Sequence, residues 1–189
     1  MGRRGGGDVT RRGGMRRNVE LKARLRRAAA VRGAAERRSG AAGTALPQAD
    51  TFFRVPAGRL KLRRSPDGRG ELIFYERPDS AGPKLSQFTI TPTDDPDGLE
   101  AVLAQALGVL GVVRKQRLLY LVGQTRVHLD SVEGLGDFLE LEVVLSEDQS
   151  VEHGERVARE LMVELGVQDE DLVTGAYLDL LLAKGGVSP

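Results

Sequence analysis

The chain has 189 residues, enough for one domain with a sizeable core, and its net charge of +1 hides thirteen basic against three acidic side chains in residues 1–40 and an acidic excess in the remainder. It has no cysteine and two histidines, His128 and His153, which excludes disulfides, thiolate catalysis and cysteine-built zinc sites. Any metal is then held mainly by oxygen, which points to Mg²⁺, Mn²⁺ or Ca²⁺. No stretch approaches the roughly 18 apolar residues of a membrane span, and no apolar core near the N-terminus suggests a secretory signal, so a soluble cytoplasmic protein is expected.

Residues 1–15 are mostly Arg and Gly, cannot bury a core, and are expected to form a disordered tail. Arg-Gly tails can contact nucleic acid loosely, and Arg-rich leaders can address mitochondria, although here the glycines spoil an amphipathic helix. A strand over 16–25 follows, then an Ala/Arg-rich helix ending near Gly40, a loop over "AAGTALP", and strands at 48–55, 59–64 and 71–77 broken by "VPAG" and "SPDG". "KLSQFTITP" reads as a further strand. A helix then starts at the N-cap Asp95 and Pro96, with Leu99, Val102, Leu103, Ala106 and Leu110 as its apolar stripe. "VVRKQRLLYLV", "QTRVHLDSV" and "DFLELEVVL" are strands. A helix over 150–165 has Glu152–Arg156 and Glu155–Arg159 at i,i+4 spacing, and a short helix over 175–184 precedes a tail at 185–189. Two successive sets of strands and helices predict one α+β domain over 16–184, with an antiparallel sheet of about eight strands, large enough to curl into a barrel.

Side chains in a strand alternate between faces, so each face can be read directly. In "NVELKAR" Asn18, Glu20, Lys22 and Arg24 oppose Val19, Leu21 and Ala23. Arg59, Lys61 and Arg63 share a face, as do Lys115 and Arg117; Arg126, His128 and Asp130; and Glu140 and Glu142. A half-solvated sheet produces such alternation. These faces are nearly all charged, however, and sorted by sign: 59–63 and 115–117 are basic, while 140–142 is acidic. Like charges two residues apart repel unless a counter-charge lies between them. Opposed basic and acidic rows could hold a polyanion and its divalent cation together.

The same segments resemble the CYTH superfamily, which contains the class IV adenylyl cyclases and thiamine triphosphatases. "NVELKAR" is similar to its ExExK signature, and "DTFFRVPAGRLKLR", "LIFYERPD", "VVRKQRLLYLV", "RVHLDSVEGLGDFLELEV" and "GAYLDLLL" resemble successive blocks of its CyaB-like branch, in order over about 16–184. The resemblance implies an eight-stranded antiparallel β tunnel with helices packed outside and a charged bore that binds a triphosphate with Mg²⁺ or Mn²⁺. It implies Glu20 and Glu140 as metal ligands, with Asp130 and Glu142 as further candidates, and Glu20, Lys22 and Glu140 as the catalytic set. Lys22, Arg24, Lys61, Arg63, Arg77, Lys115, Arg117 and Arg126 would grip phosphates. One departure stands out: the first Glu of ExExK is Asn18, a neutral oxygen donor that weakens a two-metal arrangement.

Three functions fit these expectations. A cyclase would convert ATP to cAMP and pyrophosphate. A triphosphatase would hydrolyse tripolyphosphate, thiamine triphosphate or a nucleoside triphosphate, and a non-catalytic module would only bind phosphate or polyphosphate. Cyclisation also needs a nucleoside pocket, for which Phe52, Phe53, Phe74 and Tyr75 are candidates, although aromatic residues mostly fill cores. His128, beside Arg126 and Asp130, reads as a neutral imidazole hydrogen-bonded to a carboxylate.

Overall fold

The computed structural model describes residues 15–185. The expected disorder of the Arg/Gly-rich tail, and all but the first residue of the C-terminal tail, lie outside the described residues. Eight strands are ordered β1 (Arg16–Arg24), β2 (Thr44–Phe53), β3 (Arg59–Arg64), β4 (Gly70–Glu76), β5 (Lys84–Thr93), β6 (Val109–Val122), β7 (Thr125–Val132) and β8 (Gly136–Val144) along the chain. They close a barrel in the spatial order β1-β5-β4-β3-β2-β6-β7-β8, every pairing antiparallel. The α-helices are α1 (Ala28–Ser39), α2 (Pro96–Leu107), α3 (Val151–Glu164) and α4 (Tyr177–Ala183). None among the described residues is long and apolar enough to cross a membrane.

Strand β1 explains why the barrel closes this way. Every residue from Asn18 to Ala23 is buried, whichever face it lies on. Val19, Leu21 and Ala23 point out of the barrel and join Leu139, Leu141 and Val143 of β8 in a core against Ala158, Leu161 and Met162 of α3. Burying one such aliphatic side chain is worth about 1.5–3 kcal/mol, so the main core lies between the barrel wall and the helices. Asn18, Glu20 and Lys22 are left facing inward. A second core of Phe52, Val113, Phe138, Tyr177, Leu178 and Leu181 seals one end of the barrel beneath α4.

Several expectations change. The segment read as a loop at 41–47 is largely strand, because β2 begins at Thr44. Pro47 is tolerated there because residues 44–48 pair with β6 alone; β3 joins only from Ala49 onward. Asp95 does cap α2, its carboxylate accepting from Gly98 N at 2.9 Å, yet the apolar stripe is not a buried one. Val102 stays 62% exposed, and Leu110 belongs to β6 and packs on the end core instead. The pairs proposed for α3 are not among its ion pairs in the described residues; Ser150 caps the helix by accepting from His153 N, and Arg156 turns to His153.

Candidate active site and metal centre

The barrel encloses a cavity of about 270 Å³ lined by the inward faces of its strands. Cross-strand register decides which charges meet. Lys22 lies directly opposite Glu140, Arg117 opposite Asp130, His128 opposite Glu140, Arg126 opposite Glu142 and Arg63 opposite Asp50. Each of these pairs is in contact: Lys22 Nζ is 3.2 Å from Glu140 Oε2, and Arg126 Nη1 is 3.4 Å from Glu142 Oε2. Arg117 donates to both oxygens of Asp130 at 2.6 Å and to Glu140 Oε1 at 3.0 Å. Asp50 accepts from Lys61 at 2.9 Å and from the Arg63 fork at 2.8 and 2.9 Å.

Burial penalises the charge on these carboxylates, but the cations beside them outweigh it. Glu140 is held well below the usual carboxylate range by Lys22 and Arg117, and Asp50 by Arg63 and Lys61. Lys115 has no such close compensation. Burial, reinforced by the Arg117 charge, pushes its ammonium down to about 7, and its nearest carboxylate oxygen, on Asp130, is 3.7 Å away.

Glu20, Lys22, Lys61, Arg63, Arg77, Lys115, Arg117, Arg126, Glu140 and Glu142 all line the one cavity. Two of the expected residues do not. Arg24 donates to Leu135 O at 3.0 Å and stacks on the Phe138 ring. Asp130 is fully engaged by Arg117, by Lys115 and by the Tyr177 hydroxyl, which donates at 2.9 Å. Its oxygens hold cationic side chains in place, and it is not among the residues that line the cavity. Arg59 also turns away from the bore, to Asp79 and to Asp179 of α4. Of the aromatic candidates, Phe52 and Tyr75 line the cavity, Phe53 lines an adjoining outer cavity of about 840 Å³, and Phe74 points outward.

Sequence reasoning missed three cavity residues. Asp50 lies inside the strand read at 48–55, but its face carries Gln48 and Phe52 and so shows a lone charge where the other strands show a charged row. Ser86 is a short hydroxyl between Lys84 and Phe88 on one face of β5, where a single charge at the strand's start does not make a charged row. Tyr177 comes from a helix, where strand alternation says nothing; its ring nevertheless sits 3.8 Å beneath Lys22 Nζ and 5.2 Å from that of Lys115.

The donor set suits a divalent cation. Glu20 and Glu142 face each other directly across β1 and β8, an arrangement of like charges that is unfavourable without a cation between or beside them. Glu20 meets Arg77 only at 3.5 Å. Ligand atoms of His128, Glu140 and Glu142 lie within 4.8 Å of one another. Asn18 Oδ1 is buried in the same cavity and has no hydrogen-bond partner. These residues fit a metal ion bound mainly through oxygen.

Comparison with known proteins agrees with this geometry. A family model described as the CYTH domain matches residues 16–177. The adenylate cyclase CyaB of Aeromonas hydrophila is 26% identical over 139 residues, covering 69% of this chain and 70% of that protein. The PH1012 protein of Pyrococcus horikoshii superposes with a TM-score of 0.76 at 25% identity, over 86% of this chain and 98% of that one. A conserved hypothetical protein of Pyrococcus furiosus gives 0.75 at 22% identity, over 86% and 99%.

Proposed function

The chain belongs to the CYTH domain family, and on that premise we propose that it is a metal-dependent enzyme acting on a triphosphate, with conversion of ATP to cAMP and pyrophosphate as its reaction. One observation carries the reading. Seven cationic side chains line the bore against four carboxylates, and three of the four, Glu20, Glu140 and Glu142, gather on β1 and β8. A phosphate chain complements the positive excess, and a divalent cation complements the acidic corner.

Glu20, Glu140 and Glu142 would hold the cation, which when bound would draw electron density from phosphate oxygens. The remaining work falls to the chain itself. Arg77 is buried, donates to Gly175 O through one nitrogen, and has Nε and Nη1 without hydrogen-bond acceptors, so its guanidinium is ready for phosphate oxygens. Lys115, short of compensation, gains a counter-charge when phosphate arrives. Asp50 and Asp130 pin Lys61, Arg63 and Arg117, so the positive field is fixed before substrate binds and costs little reorganisation at the moment of reaction. Phe52 and Tyr75 offer aromatic surface on which a nucleoside can fold its ribose 3′-hydroxyl toward the α-phosphorus.

The test is product analysis after incubation with ATP and Mg²⁺ or Mn²⁺. The reading expects cAMP and pyrophosphate in equal amounts. Orthophosphate released from ATP, thiamine triphosphate or tripolyphosphate without cAMP would replace cyclisation by hydrolysis. Tight binding of these compounds with no turnover under either metal would remove the enzyme reading altogether.

A further inference from the structure

The acidic corner of the bore is not built of oxygen alone. His128 is buried on β7 directly opposite Glu140 of β8, and its Nδ1 lies 3.4 Å from Glu140 Oε1 and 3.8 Å from Glu142 Oε1. At those distances the imidazole edge faces both carboxylates without a short hydrogen bond to either. On the adjoining strand β1, Glu20 lies opposite Glu142, and Asn18 lies one inward position further along. Asn18 is 4% exposed and its Oδ1 has no donor, an unfavourable condition unless something electropositive fills it. The orphaned oxygen and the convergent His–Glu–Glu group line the same cavity.

We propose that His128, Glu140 and Glu142, completed by Glu20 and Asn18, form a mixed nitrogen–oxygen site that selects Mn²⁺ over Mg²⁺. This rests on the reading that the bore takes a divalent cation, and adds which cation and through which atom. Mg²⁺ is bound largely by charge, keeps several waters and prefers oxygen. Here its electrostatic hold is weakened, because Glu140 is shared with Lys22 and Arg117 and the first acid of the β1 pair is the neutral Asn18. Mn²⁺ accepts the same carboxylates and gains more from a neutral imidazole nitrogen. The His128 ring turns Nδ1 to the acidic corner, and an imidazole that ligates a metal is a neutral donor, so no net charge is added to a bore already rich in cations.

The experiment is electron spin-echo modulation of Mn²⁺ bound to the full chain without nucleotide, together with Mg²⁺ competition read from the free Mn²⁺ signal. The expected result is a ¹⁴N modulation that becomes a ¹⁵N pattern when histidine is ¹⁵N-labelled and persists in His153→Gln. Mn²⁺ should bind at least tenfold more tightly than Mg²⁺, and in His128→Gln the modulation should vanish and the preference shrink. Isotope labelling of the wild-type chain keeps the inference testable even if His128→Gln folds poorly. Bound Mn²⁺ without histidine nitrogen coupling, or with no preference over Mg²⁺, overturns this inference and leaves the cation reading standing. No bound Mn²⁺ at all overturns both.

Discussion

Glu140 accepts from Arg117, pairs with Lys22 and faces His128, so one carboxylate joins the basic and acidic parts of the bore. Glu140→Gln keeps the shape and removes the charge. Turnover should fall by about 10²-fold or more, while tripolyphosphate should bind at least as tightly, because the bore becomes more positive. Full turnover in the variant, measured by product formation, would remove Glu140 from the reacting site. Lys115 makes a separate prediction. Its folded value of about 7 lies below the ordinary lysine value of 10.5, so between those values the unfolded chain binds more protons and stability rises with pH. Lys84, pushed down to about 8 mainly by burial, adds to the same trend. A bound polyanion favours charged Lys115, so binding at pH 8 should take up protons. Calorimetry in buffers of differing ionisation enthalpy should show that uptake in the parent and a smaller one in Lys115→Met; equal uptake in both would exclude Lys115 as its source.

Among the elements, α3 and β1 show how tightly the outer wall is held. A Cβ placed on Gly154 would come within 2.6 Å of Val19 Cγ2 and 2.9 Å of Leu145 Cδ2, so glycine is what lets the helix approach the strand this closely. Gly154→Ala should cost about 1–3 kcal/mol in denaturant unfolding, since the helix must lift from a wall that carries Asn18, Glu20 and Lys22 on its other side. An unchanged midpoint would mean that the helix shifts freely and does not fix β1. Strands such as β3, β7 and β8 were legible because period-two alternation is a local property of the chain. The start of β2 was not, because Pro47 reads locally as a breaker and its one-sided pairing with β6 is a fact of the sheet. The stripe on α2 misled for a related reason: spacing gives a helix an apolar face but does not supply a partner to cover it.

At the scale of the whole molecule, the barrel concentrates like charges that the extended chain would keep apart, and its stability should depend on the ligand. An anion that binds only the folded state, at about 100 times its Kd, adds about 2.7 kcal/mol. Tripolyphosphate should therefore raise the melting temperature well beyond the effect of sodium chloride at matched ionic strength. An identical shift from both would mean that no specific polyanion site exists in the bore. The amino-acid sequence by itself determined the alternating faces, the sorting of their charges and, through the order of its motifs, the family. Only tertiary structure decided that the charged faces point inward and the apolar faces outward. The two arrangements share one local pattern, and helices covering the outside of a closed wall select between them. Likewise, the pairing of Asp130 with Arg117 and of Asp50 with Arg63 comes from strand register across the closed sheet. That register sets Asp50 and Asp130 among cations and brings Glu20 and Glu142 face to face across β1 and β8.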